Sequence, residues 1–230
     1  MDIRLINLFK SYKTSEDRYI DSINGINVDI NYQNYVSFVG PSGCGKSTLL
    51  NMITGILKPT KGEVYWGKYP ITKTSDKIIC EIRRKKFGII FQETKFVNEL
   101  NVEDNILLPL VISSIPVEQK IKYCNILMEK LKIYNIRKRY PDQISGGEKK
   151  KVAIARALIN NPEIIVADEP TANLDNNSAI EVFNIFTNLN KMGLTVIIAT
   201  HDERFGNYCK EVYFMENGQI KKFLSKESKQ

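Results

Sequence analysis

Tyr35-Val36-Ser37-Phe38-Val39 is an apolar run of strand length, and Gly40-Pro41-Ser42-Gly43-Cys44-Gly45-Lys46-Ser47 follows it without a break. The second stretch fits the pattern G-x-x-x-x-G-K-[ST] at every fixed position, and residues 48–56, opening on Thr48, have helical character. Strand, glycine-rich turn and helix in that order make a phosphate cradle. The glycines let the backbone curl until its N–H groups face phosphate oxygens, and the helix N-terminus adds partial positive charge. The pattern points to ATP with Mg²⁺. Lys46 reaches the β- and γ-phosphates, and Ser47 offers its hydroxyl to the metal.

Working outward, residues 3–9 and 23–30 alternate as strands, 62–66 reads as a further short strand, and 87–91 is an apolar strand that stops at Gln92. From about 102 to 159 the period becomes helical. Ile121, Cys124, Ile126, Leu127 and Leu131 recur between lysines, and Pro109, Pro116 and Pro141 divide the stretch into separate helices. The strand pattern returns at Ile164–Asp168, followed by a helix over 178–192 and a strand at Thr195–Thr200. Strand, helix and strand in that order imply a parallel sheet. Residues 211–224 read as a hairpin turning at Asn217-Gly218. The basic stretch from Lys221 to Lys229 is either a solvated tail or a membrane-surface contact. The expectation is a single α/β unit over residues 1–230, with its core at about 1–92 and 160–230 and a helical insertion at about 93–159.

Composition narrows less. The chain has 230 residues, 43% hydrophobic and 26% charged, as in ordinary globular domains. A net charge of +7 suits a polyanionic ligand, a nucleic acid or an anionic membrane surface, and selects none of them. No apolar run approaches the roughly 18 residues that cross a bilayer, and Met1-Asp2-Ile3-Arg4 opens without the apolar centre of a secretory signal. If the protein acts at a membrane, another chain must supply the spanning segments. Cys44, Cys80, Cys124 and Cys209 are scattered without metal-ligand spacing, which suits a reducing compartment. Cys44 lies inside the cradle. The helix N-terminus and Lys46 favour its thiolate if the side chain is accessible; if it points into the core beneath the loop, it is an inert small hydrophobe.

Two further stretches carry chemistry. Ile164–Asp168 is an apolar strand ending in two carboxylates, Asp168 and Glu169. Asp168 can support the metal shell, and Glu169, on the other face, can orient and deprotonate water. Ile144-Ser145-Gly146-Gly147-Glu148 is a second anion-binding turn at a helix start. One chain already has a complete cradle, so this turn suits the γ-phosphate held by another copy.

The ordered set resembles the ATP-binding subunits of ABC transporters over essentially the full chain: the phosphate loop, Gln92, Ile144–Glu148, Asp168-Glu169, Ala172-Asn173-Leu174-Asp175 and His201. Phe91-Gln92, Asp104-Asn105-Ile106-Leu107-Leu108-Pro109-Leu110 and the stretch from Ala167 to Asp175 look most like the lipoprotein-release and macrolide- or peptide-export branch. The resemblance implies a P-loop NTPase core of RecA-like type with an N-terminal antiparallel β subdomain and an inserted helical subdomain. It also implies that Tyr12 stacks on adenine, that Gln92 approaches Mg²⁺ and the attacking water, and that Asp175 communicates across a dimer interface. His201, the one histidine, would contact the γ-phosphate and hold Glu169 in register. Two copies would sandwich ATP head to tail at the cytoplasmic face of a membrane and drive a separate transmembrane permease, with no nucleic acid involved. A soluble ABC ATPase of cluster assembly or chromosome maintenance is the competing reading, disfavoured because long coiled-coil insertions and a second cassette are absent. Ile144 and Glu148 depart from the family's usual leucine and glutamine. Lys149-Lys150-Lys151 stands where glutamines and an arginine are common.

Overall fold

Strands buried on both faces need cover on both sides, and a parallel sheet is the arrangement that provides it. The computed structural model describes residues 1–13, 15 and 17–226. In chain order the elements are β1 (Ile3–Lys13), β2 (Tyr19–Ile30), β3 (Tyr35–Val39), α1 (Lys46–Ile53), β4 (Lys61–Trp66), β5 (Tyr69–Pro70), α2 (Asp76–Lys86), β6 (Phe87–Ile90), α3 (Val102–Leu107), α4 (Val117–Lys130), α5 (Gly146–Leu158), β7 (Ile164–Asp168), α6 (Asn176–Lys191), β8 (Thr195–Thr200), β9 (Glu211–Glu216) and β10 (Gln219–Ser225). The central sheet has the order β10-β9-β3-β8-β7-β6. Its members run parallel except β10, which returns antiparallel at the edge. A second sheet, β2-β1-β4-β5, is antiparallel throughout. The α/β class with an N-terminal antiparallel sheet is as the sequence predicts.

The two-residue period of the strands divides the core into two layers. Ile165 and Ala167 of β7, with Val196 and Ile198 of β8, face a cluster built with α3 to α6. Ile164, Val166, Ile197 and Ala199 face a second cluster built with α1 and the antiparallel sheet. Trp66 anchors that second layer. It is fully buried, packs on Phe87 and donates its Nε1–H to Ile53 O at 2.8 Å, giving an aromatic ring both apolar contact and a polar partner.

Several expectations are corrected. The helix after the phosphate loop begins at Lys46 and ends at Ile53, two to three residues earlier than 48–56 at each end. The first two strands extend well beyond 3–9 and 23–30; bulges between Leu5 and Leu8 and between Lys10 and Ser11 break the alternation that sequence patterning relies on. Helix α2 is absent from the sequence expectation: its apolar side is narrow, Ile79 buried with Ile82 packed beside it, in a segment dominated by charged residues. On α4 the buried face is Cys124, Leu127, Met128 and, just beyond it, Leu131. Ile121 and Ile126 are 39% exposed, off that face. Lys221 and Lys222 belong to β10 rather than to a tail; Lys229 lies outside the described residues.

Candidate functional site

The loop between β3 and α1 is shaped by close backbone approach. A Cβ on Gly40 would stand 2.3 Å from Met215 O, and one on Gly45, at φ +104°, 2.3 Å from Ser22 O. Only glycine fits at either position, and the second is also strained for any L side chain. No side chain caps the N-terminus of α1, and its first turn holds no acid, so its free N–H groups and positive end face outward. Lys46, 6% exposed, donates from Nζ to Gly40 O at 2.8 Å and Pro41 O at 3.0 Å. Pro41, Ser42 and Gly43 form the exposed rim of the loop. Thr48 ties the helix to β2, its Oγ1 accepting from Ser22 Oγ at 2.9 Å. Cys44 does not join the ligand-facing surface. It is buried in the layer formed with Ile23 and Leu49, so the inert alternative holds and the thiolate reading falls.

Beside this loop the ends of β7 and β8 bring three predicted residues together. The parallel register places Asp168 opposite Ala199. Glu169 then turns at φ +45°, an unusual backbone for a non-glycine residue and one concentrated at functional sites. Its carboxylate is buried. Oε2 accepts from Thr200 Oγ1 at 3.1 Å and from His201 N at 3.2 Å, with His201 Nδ1 2.9 Å away, while Oε1 stands 3.5 Å from Lys46 Nζ. The His201 ring is largely exposed. Asp168 Oδ1 is buried with no hydrogen-bond partner. Burial raises the Asp168 pKa and Glu169 adds to the rise, whereas the Ser47 hydroxyl, Lys46 and Lys150 oppose it.

The predicted second turn lies at the head of α5. Ser145 and Glu148 form a reciprocal capping box: Ser145 N donates to Glu148 Oε2 at 2.8 Å, and Glu148 N donates to Ser145 Oγ at 3.3 Å. The bond from the Ser145 backbone is the main cause holding the Glu148 carboxyl below its ordinary pKa. Gly146 is exposed, and a Cβ on Gly147 would press on Ser178 Oγ at 3.1 Å. That contact sets the turn against the head of α6, where Asp175 caps the helix by accepting from Ser178 N at 3.0 Å and Ser178 Oγ at 2.6 Å. Gln92, exposed, follows β6. Tyr12 is 44% exposed at the end of β1, with Lys10 Nζ 5.4 Å from its ring centroid.

The ABC transporter family profile matches residues 23–172, which contain both the phosphate loop and the turn at Ser145. The chain belongs to the ABC transporter family. It is 38% identical over 215 residues to the bacitracin export ATP-binding protein BceA of Halalkalibacterium halodurans, covering 93% of this chain and 85% of that one. It is 37% identical over 216 residues to the lipoprotein-releasing system ATP-binding protein LolD of Blochmanniella floridana, covering 94% and 92%. Among solved structures, a dimeric post-hydrolysis cassette from Methanocaldococcus jannaschii bound to ADP and Pi superposes with a TM-score of 0.91 at 33% identity, covering 97% of this chain and 98% of that one. The chain is thus an ABC ATP-binding cassette whose relatives include export and lipoprotein-release subunits. No helix among its described residues is long and apolar enough to cross a membrane.

Two participants in the cassette's site were missed by sequence reasoning. Thr200 was read only as a strand end, although its hydroxyl holds Glu169. Lys150 was read as part of a basic run, yet it is 6% exposed, with Nζ 3.5 Å from both Gln92 O and Glu169 O. Burial lowers its pKa, and Asp168 and Glu169 pull it back up. A signal was present: position 150 continues the buried stripe of Ala153, Ile154, Ala157 and Leu158 by one turn.

Proposed function

We propose that the chain hydrolyses ATP as the motor subunit of an ABC transporter. Two copies close head to tail on nucleotide and drive a separate permease from the cytoplasmic face of the membrane, in export or lipoprotein release. The observation that carries this reading is the Glu169 carboxylate. The Thr200 hydroxyl and the His201 backbone N–H donate to Oε2, with the His201 ring beside it, which leaves Oε1 facing the lysine of the phosphate loop. In the nucleotide-free arrangement Lys46 is held by Oε1 and by the loop's own carbonyls. Phosphates entering the loop compete for that ammonium and free Oε1 to take a proton from water. The exposed ring of His201, beside Glu169, would contact the γ-phosphate and keep Glu169 in register.

The residues present fit Mg²⁺. Asp168 Oδ1 is a buried acceptor without a partner, and the Ser47 hydroxyl lies beside the same carboxylate. No group of three or more His, Cys, Asp or Glu side chains converges among the described residues. That donor set suits an ion held by one carboxylate, one hydroxyl and substrate phosphates; Gln92 would complete it. When bound, the ion supplies charge neutralisation on the β- and γ-phosphate oxygens. Tyr12, on the strand pair that reaches α1 through Ser22, would stack on adenine. Ser145, Gly146, Gly147 and Glu148 would meet the other copy's γ-phosphate, with Asp175 at the interface. A groove lined by Phe91, Leu108, Pro109, Arg83, Arg84 and Arg156, with Val111 and Ile112 about three-quarters exposed nearby in the chain, supports contact with the permease.

Mixing two defective variants tests the shared site. Lys46→Ala removes the phosphate lysine. Gly146→Asp sets a negative charge on the second turn, and its Cβ meets only Leu174 Cδ2 at 3.8 Å, so the fold accommodates it. Each variant alone should be nearly inactive, and Gly146→Asp should still bind ATP. Their mixture should regain ATPase activity, because one of the two sites in a mixed dimer is intact. Absence of rescue, together with loss of ATP binding in Gly146→Asp, would refute the head-to-tail arrangement.

A further inference from the structure

Helix α5 starts at the turn proposed to bind the other copy's nucleotide, and two of its side chains reach into the segment after Gln92. Lys150 lies at one end, with Nζ 3.5 Å from Gln92 O. Arg156 lies at the other: one guanidinium nitrogen donates to Lys95 O at 2.8 Å, and the guanidinium carbon lies 5.0 Å from the Phe96 ring centroid. The Lys150 ammonium also stands 3.5 Å from Glu169 O. A lysine carries three donors, so one buried head group bridges Gln92, two residues beyond β6, and Glu169, the residue after β7. An ammonium withdrawn from water must be compensated by nearby acceptors and opposite charge. Here the acceptors are the backbone carbonyls of two residues assigned to the reaction, and the charges are Asp168 and Glu169. A lysine held only for packing would more easily extend its head to solvent along its flexible stem.

From this geometry we infer that Lys150 is a positioning residue that ties the α5 helix to Gln92 and Glu169 at once. Movement of the α5 head on engaging nucleotide is then transmitted to both groups that orient the attacking water. Lys150 lies five residues into the helix from Ser145, about 7 Å along its axis, so the link is a single rigid element. Neither Lys150 nor Arg156 touches nucleotide in this scheme; each acts through the backbone it holds.

The inference rests on the reading of Glu169 as the water-activating base, and its test has one arm that needs no turnover. Lys150→Met keeps the stem and removes the donors, whereas Lys150→Gln keeps two amide donors on a shorter stem. In steady-state ATPase assays Lys150→Met should lower kcat about tenfold or more, as small misplacements of reacting groups do. The Kd for a fluorescent ATP analogue should stay within about twofold, and Lys150→Gln should recover part of kcat. Hydrogen exchange on the nucleotide-free protein should quicken in Lys150→Met within residues 91–97 and 168–173 and not along the rest of α5. If kcat is unchanged, if kcat and affinity fall together, or if exchange quickens throughout α5, Lys150 is a structural lysine and the inference is overturned. A wild-type chain that fails to hydrolyse ATP would defeat the proposed function instead, and the exchange data alone would then decide whether the junction exists.

Discussion

Replacing Glu169 by Gln tests the chemical assignment with the least disturbance of shape. Oε2 accepts from Thr200 Oγ1 and His201 N, so a glutamine places its carbonyl oxygen there. Its NH₂ group then takes the place of Oε1, 3.5 Å from Lys46 Nζ in the wild type. The variant therefore loses its proton acceptor at the one oxygen free to work, and places donor against donor beside the phosphate lysine. A positioned general base contributes about 10²- to 10⁴-fold. At 1.36 kcal/mol per tenfold, the barrier should rise by about 3–5 kcal/mol. Nucleotide affinity should be unchanged or greater, because the carboxylate that competes with phosphate for Lys46 is gone. Phosphate release with saturating Mg-ATP measures the first effect. Size-exclusion elution with ATP measures the second, as a dimer that persists because hydrolysis no longer opens it. Activity within about threefold of wild type would fall far outside the range for loss of a general base and would remove Glu169 from that role.

Cys44 is buried beneath the loop and Cys80 is exposed, so timed alkylation followed by peptide mass spectrometry should label Cys80 first, with Mg-ATP scarcely altering Cys44; early, nucleotide-protected labelling of Cys44 would contradict its packing. Asp202 accepts from Arg204 and from Thr171, and the Arg204 hydrogen bonds are the main cause holding its pKa below the ordinary value. A depressed folded-state pKa gives stability that is fully present above the unfolded value of about 3.9 and is lost as pH falls through the folded one. Asp202→Asn should therefore lower stability at pH 7 by about 1 kcal/mol, allowing for solvent screening. Thermal melts should show the gap to wild type shrinking in acid; a gap that widens would reverse the assignment.

The sequence revealed elements in proportion to how completely their neighbours bury them. β7 and β8 were read to the residue because both faces are buried along an apolar run that only Asp168 and the end threonines of β8 interrupt. β1 and β2 were read short because one side is exposed and bulges shift the register, so alternation fails where the strands continue. α2 buries only Ile79 fully, and its short apolar side of Ile79 and Ile82 is easily overlooked among so many charged residues. In the site, the phosphate loop was legible because its glycine spacing answers the turn's own backbone demands, such as the positive φ at Gly45. The direction of Cys44 was not legible, since it depends on the turn's three-dimensional path. The partners of Glu169 were half legible. His201 was expected beside it, but Thr200 enters only through the parallel register that sets Asp168 against Ala199.

Glu148 shows how a departure from family pattern can be absorbed locally. An acid next to a turn proposed to meet phosphate looks self-defeating, since it would repel such a ligand. In the folded chain its carboxylate points back to the Ser145 N–H, and its own N–H is taken by the Ser145 hydroxyl. A capping box of this kind satisfies the helix's first and fourth donors reciprocally, and glutamate serves in it as well as glutamine. The two N–H groups between them, those of Gly146 and Gly147, are the ones an incoming phosphate can use. The charge is therefore folded against the helix's own positive end, where it stabilises the turn, and the donors proposed to meet an anion stay open beside it.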